Sequence, residues 1–107
     1  TYRFTAKLFT TSDVGGGIKV AIGGTATATS IRYEGLTTDA GLTTQGRATA
    51  LGTAVGAVTA VTAAWVTIEG VIVVNGAGTL TVQAACNVAT ATTSVLTGST
   101  FVVTEML

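Results

Sequence analysis

The side chains able to do chemistry are few. The 107 residues contain no histidine and one cysteine, Cys86. Five acids (Asp13, Glu34, Asp39, Glu69 and Glu105) and five basic residues complete the reactive set. Without histidine, neither a Ser-His-Asp nor a Cys-His relay can be built, and a histidine metal site is excluded. The acids are too scattered to suggest a carboxylate pair. Glu34 and Asp39 could meet a cation across the segment between them, although solvated surface charges are the reading their spacing favours. The run Gly15-Gly16-Gly17 has no lysine in the phosphate-loop position and precedes a strand pattern, so it reads as a turn. Neither Asn75 nor Asn87 begins an N-x-[ST] acceptor site. Cys86 falls on the apolar face of its strand, where an inert buried thiol is expected. The sequence therefore carries no catalytic residue, metal ligand or cofactor motif, and the expectation is that it is not an enzyme.

Composition narrows the field further. Only 9% of the residues are charged and 48% are apolar, against roughly 25% charged in an average soluble domain. The formal net charge is zero, so nothing repels like molecules and association is favoured. Phosphate recognition needs clustered cations, whereas Arg3, Lys7, Lys19, Arg32 and Arg47 are dispersed, which argues against nucleic acid. The most apolar stretch, 55–74, is interrupted by Gly56, Thr59, Thr62, Thr67, Glu69 and Gly70. It does not make the run of about 20 apolar residues that a helix needs for membrane insertion. The length suits one domain over residues 1–107. The start at Thr1, directly inside a strand pattern, leads us to expect the C-terminal part of a longer chain.

The elements are read from period-2 alternation bounded by glycine. Over 2–10, Tyr2, Phe4, Ala6 and Leu8 share one face while Arg3, Thr5 and Lys7 share the other. Ile18, Val20 and Ile22 alternate with Lys19 and Ala21, and Gly23-Gly24 closes that strand. From 25 to 34, Thr25, Thr27, Thr29, Ile31 and Tyr33 alternate with Ala26, Ala28, Ser30, Arg32 and Glu34. The segment from Gly35 to Gly46 reads as a long loop. Between Ala48 and Ala64, the spacing of Leu51, Val55, Val58 and Trp65 matches a helix stripe. Gly52 and Gly56 each cost ~1 kcal/mol there relative to alanine, so strand or extended loop is expected. Trp65 to Asn75 is apolar on both faces, as in a central strand or one facing a neighbour. Asn75-Gly76-Ala77-Gly78 then reads as a hairpin loop. Its return strand places Leu80, Val82, Ala84, Cys86 and Val88 on one face. A last pair, 94–96 and 100–106, is split by Thr97-Gly98-Ser99. The predicted class is all-β: an antiparallel two-sheet sandwich or jelly roll of about eight strands.

Three segments carry a resemblance. They are Trp65-Val66-Thr67-Ile68-Glu69-Gly70, Gly78-Thr79-Leu80-Thr81-Val82-Gln83 and Val95-Leu96-Thr97-Gly98-Ser99-Thr100-Phe101-Val102-Val103. Together with the opening Tyr2-Arg3-Phe4-Thr5-Ala6-Lys7-Leu8, they resemble domains of tailed-bacteriophage virion proteins whose jelly roll is similar to the C1q and tumour-necrosis-factor fold. The resemblance implies a homotrimer about a threefold axis. It also implies a place on the virion exterior, as capsid decoration, head fibre or tail-fibre tip, in contact with other capsid or tail proteins. Tyr33, Trp65 and Phe101 are the candidate subunit-interface residues, because large aromatic side chains are enriched at interface centres. Each also has a reading in which it fills the monomer core.

Two other functions are open at this point. A tail-fibre tip could bind a host receptor or surface glycan, which exposed aromatics beside polar side chains would favour. A secreted adhesin or ice-binding protein would need a flat threonine array, for which Thr25-Ala26-Thr27-Ala28-Thr29 is the candidate. Threonine is also simply a good solvent-facing strand residue.

Overall fold

The computed structural model describes residues 1–12, 16–39, 42–58, 63–87 and 92–106. Within them lie nine strands and no helix. They are β1 (Tyr2–Ser12), β2 (Ile18–Gly23), β3 (Thr27–Asp39), β4 (Leu42–Ala48), β5 (Val55–Val58), β6 (Ala63–Gly76), β7 (Thr81–Ala85), β8 (Thr93–Val95) and β9 (Thr100–Glu105). All pairings are antiparallel. A six-stranded sheet runs β4-β3-β6-β1, with β8 and β9 both on the far side of β1. A three-stranded sheet, β5-β2-β7, forms the second layer.

The alternation read in β1 is realised. Phe4, Ala6 and Leu8 are buried, while Arg3 and Thr5 are exposed. On β6, Ala64, Val66, Ile68 and Ile72 face the same interior. Ile18, Val20, Ile22 and Val55 come in from the second layer. Each fully buried aliphatic side chain contributes about 1.5–3 kcal/mol relative to exposure, so this shared interior holds the two layers together. Its two buried threonines are both satisfied: Thr10 Oγ1 donates to Ala64 O at 2.9 Å and Thr37 Oγ1 to Gly56 O at 2.8 Å. Trp65 to Asn75 is the central strand its two-sided apolar character predicted, with β1 on one side and β3 on the other.

Four sequence expectations are corrected. The segment from Gly35 to Gly46 is not a long loop, because β3 runs on to Asp39 and β4 returns from Leu42. Its threonines pair across the ladder, Thr37 with Thr44 and Thr38 with Thr43. Gly35 and Gly46 also stand opposite each other. A Cβ on Gly35 would lie 2.5 Å from Val55 Cγ2, and one on Gly46 would lie 3.3 Å from Val55 Cα. The glycines mark the spot where Val55 of the second layer presses on the sheet.

Residues 75–78 are likewise no hairpin. β7 pairs with β2 rather than with β6, so this segment crosses between layers. It is tied down by reciprocal bonds: Thr25 N donates to Thr79 Oγ1 at 3.2 Å, and Thr79 N donates to Thr25 Oγ1 at 2.9 Å.

The alternation over 25–34 breaks at bulges between Thr27, Ala28 and Ser30. Ala26 is therefore turned inward along with Ile31 and Tyr33, while Thr25, Thr27 and Thr29 are exposed.

Finally, β8 and β9 do not pair with each other. Both lie against β1, β8 at Thr10–Ser12 and β9 at Tyr2–Lys7, so they form one interrupted strand. Gly98, with φ of 96°, makes the turn in the interruption. Phe9 N donates to Ser99 Oγ at 3.0 Å across it.

Between 48 and 64 the described residues are irregular up to β5, without the helix stripe. The turn residues 13–15 and Val88 lie outside the described residues.

Candidate interaction surface

Among the described residues, the chemistry weighed in the sequence finds no assembled centre. Glu34 and Asp39 lie on one strand, five residues apart, so alternation puts them on opposite faces. Glu34 instead meets Arg47 at 3.9 Å, both side chains being well exposed. Cys86 is half-buried, with Sγ 2.7 Å from Thr93 Oγ1, where it fastens the end of β7 to the start of β8. Among the described residues, no three of Cys, Asp and Glu come together in a metal-holding group.

The outer face of the large sheet can be laid out from the registers. One row crosses Gln45, Leu36, Thr67, Lys7 and Thr100, and the next crosses Arg47, Glu34, Glu69, Thr5 and Val102. A third holds Arg32, Val71, Arg3 and Thr104. Most positions are threonine or charged, as expected of a strand face turned to water. Arg3, Arg32, Arg47, Glu34 and Glu69 rim a shallow cavity of about 330 Å³.

Trp65 is the largest of the apolar side chains on this face. It pairs with Phe9 across β1 and with Thr38 across β3. Its ring meets Phe9 edge-on, with centroids 5.2 Å apart and planes at 87°. Lys7 Nζ sits 5.8 Å from the Trp65 ring centroid and donates to Thr67 Oγ1 at 3.1 Å. The arrangement combines an edge-to-face aromatic pair with a cation–π contact. Trp65 nevertheless remains 58% exposed.

The other two aromatic candidates are placed differently. Tyr33 is buried in the monomer core, its ring 6.2 Å from that of Phe4. Its hydroxyl donates to Thr53 O, and burial pushes its pKa up from the usual tyrosine value. Phe101 is half-buried on the inner face, 6.3 Å from Phe4. Trp65 is thus the one of the three that stands free on this chain.

Sequence reading missed a larger feature. Among the described residues, the exposed large apolar side chains besides Trp65 are Val95, Leu96, Val102, Val103 and Met106. All five belong to β8, β9 or the residues that join and follow them, which makes one margin of the large sheet apolar. The available signal was Val102-Val103: two consecutive valines put one on each face of a strand, so a strand with one buried face must expose one of them. On the inner side, Tyr2, Ile72, Val74, Leu80 and Val103 line an open cleft of about 360 Å³ between the layers.

The five-residue threonine stretch from Thr25 to Thr29 offers less than its sequence promises. Thr25 Oγ1 is 3.1 Å from Thr79 Oγ1, and Thr27 Oγ1 donates to Asn75 Oδ1 at 2.7 Å. These hydroxyls clamp the interlayer crossing, and the bulges in β3 interrupt regular spacing.

Compared with known proteins, the chain matches no family model, and no curated protein or solved structure matches it significantly.

Proposed function

We propose that this chain is a non-enzymatic structural protein of a bacteriophage virion, a trimeric jelly roll on the particle exterior serving as capsid decoration or fibre. The observation that carries the assembly reading is the apolar margin formed by Val95, Leu96, Val102, Val103 and Met106. Exposed apolar side chains gathered along one edge of a small domain mark a place where another molecule packs. The composition supports the same reading. A chain that is 9% charged, with no proline and zero net charge, suits close packing of rigid β structure and has little to keep copies apart. Its partners in this reading are two further copies and neighbouring capsid or tail proteins. Light scattering at several concentrations tests the trimer: a mass divisible by three is expected, and a monomer or dimer at every concentration overturns it.

One observation favours a second reading, a tail-fibre tip that binds a host glycan. Trp65 is an exposed aromatic ring flanked by Lys7, Thr38 and Thr67, a setting in which a sugar ring can stack and be hydrogen-bonded. Because Trp65 is the chain's one tryptophan, its fluorescence reports occupancy directly. Saturable quenching or a shift on titration with a panel of oligosaccharides is expected, and an unchanged spectrum throughout the panel rejects this reading.

A further inference from the structure

The two margins of the large sheet are built differently. At one, β4 carries Arg47, whose side chain is 88% exposed, and Val55 of the second layer packs onto Gly46. At the other, β9 has one bonded neighbour among the described residues, β1. Met106 N donates to Thr1 O at 2.8 Å. Backbone groups alternate in direction along an antiparallel strand. Thr100, Val102 and Thr104 therefore turn theirs to β1, while Phe101, Val103 and Glu105 turn theirs to the open side. Edge strands are ordinarily guarded by a charged side chain, above all lysine, by a proline or by a bulge that stops another strand from adding. From Thr100 to Glu105 the one such residue is Glu105, at the last position of the strand. Val102 is instead 59% exposed on the outer face and Val103 43% exposed on the inner face.

We propose that β9 pairs with β9 of a second copy, antiparallel about a two-fold axis normal to the sheet, so that two six-stranded sheets become one. Such an axis keeps outer residues with outer residues and inner with inner. Two registers then overlap most of the strand. Centred on Val103, the pairing sets the Glu105 carboxylate against Phe101 of the second copy on the apolar inner face, which is costly. Centred on Val102, it sets Val102 against its twin, Phe101 against Val103 of the second copy, and Thr100 against Thr104. In that register every exposed apolar side chain of β9 gains an apolar partner and Glu105 stays at the rim. The outward backbone groups of Phe101 and Val103 then bond to one another across the axis. This self-complementarity is what identifies a second copy, rather than an unrelated strand, as the occupant. The contact takes Val102 and Val103 and leaves Val95, Leu96 and Met106 for the threefold packing proposed above.

The test is sedimentation velocity of the whole chain at several concentrations, on the wild type and two variants. Val102→Lys brings two like charges together across the axis from an exposed position. Val103→Pro removes an N–H that makes no bond to β1, a substitution edge strands tolerate. Unchanged circular dichroism and melting of either variant at a concentration where it is dispersed show that the fold is retained. A wild-type dimer or hexamer whose mass each folded variant halves is the expected result. A dimer that halves to monomer retains this pairing and removes the threefold reading. A wild-type trimer overturns this pairing and leaves the threefold reading standing, a monomer overturns both, and an even mass that both variants leave unchanged overturns the pairing.

Discussion

The hydroxyl of Ser99 accepts the backbone N–H of Phe9 at 3.0 Å and donates to Leu96 O at 2.8 Å. A side chain thus stands in the ladder where β8 and β9 part and no backbone acceptor reaches β1. Leu96 N completes the junction by donating to Phe9 O at 2.7 Å. Ser99→Ala leaves the part-buried Phe9 N–H without its partner, at a cost of about 1–2 kcal/mol. Thermal unfolding is expected to show a midpoint lowered by several degrees, and a variant that melts with the wild type would show that water replaces the hydroxyl freely.

Val55 and Gly35 are expected to be coupled. Gly35→Ala drives a methyl group into Val55 Cγ2, and overpacking of this kind costs about 1–3 kcal/mol. Val55→Ala removes a buried side chain and destabilises by itself. Combined, the two changes relieve each other, so the double variant should be more stable than the sum of the singles predicts. Denaturant unfolding of the four proteins measures the coupling, and strict additivity would mean that the close approach is accommodated elsewhere.

Glu34 and Glu69 face each other directly across β3 and β6. Like charges opposite one another are destabilising by roughly 0.2–1 kcal/mol, and the exposed Arg47 offsets this only weakly. Glu69→Gln should therefore raise the melting temperature slightly at low salt, and the gain should shrink at high salt. A fall in stability would show that Glu69 makes a favourable contact with Arg3 or Arg32.

Tyr33 gives the fold an alkaline limit. Burial raises its pKa above the ordinary tyrosine value, so the unfolded chain loses the proton first. Its contribution is fully present below the unfolded value and is lost as pH rises through the raised folded value. Unfolding free energy is expected to fall above about pH 10, and the fall should be shallower in Tyr33→Phe. Equal slopes in both proteins would assign the alkaline loss to other groups.

Trp65, at 58% exposure, should emit at the long wavelength of a hydrated indole in dilute solution and be quenched readily by acrylamide. Assembly that covers the outer face moves the emission to shorter wavelength as concentration rises. A blue-shifted, protected tryptophan at the lowest concentration would mean that its surface is already occupied.

Where one side chain face decides the structure, the sequence was legible. Phe4, Ala6 and Leu8 in β1, and Ile18, Val20 and Ile22 in β2, alternate because one side meets water and the other the core. Reading failed where a glycine or a turn sequence had a tertiary cause. Gly35 and Gly46 looked like loop residues because nothing local announces that Val55 lies over them. Asn75-Gly76 looked like a hairpin because a turn motif reports a change of direction, while the partner of the returning strand is chosen by the second layer. The interface candidates fared according to context in the same way. A tyrosine with a hydroxyl partner at Thr53 O could enter the core, whereas the indole at position 65 fell on the outer parity of β6. The exposed margin was hidden because each valine of Val102-Val103 is unremarkable until β9 is known to be an edge.

The position of β1 also has a temporal consequence. Of the nine strands described it is made first, yet its partners are β6, β8 and β9. Its register with β9 joins Tyr2 to Glu105, almost the full length of the chain. During synthesis the two ladder edges of β1 stay unpaired until β6, and then β9, have been made. Chains dominated by such distant pairings fold in roughly milliseconds to seconds. The waiting interval, more than the finished structure, is when this chain is most open to meeting its own copies.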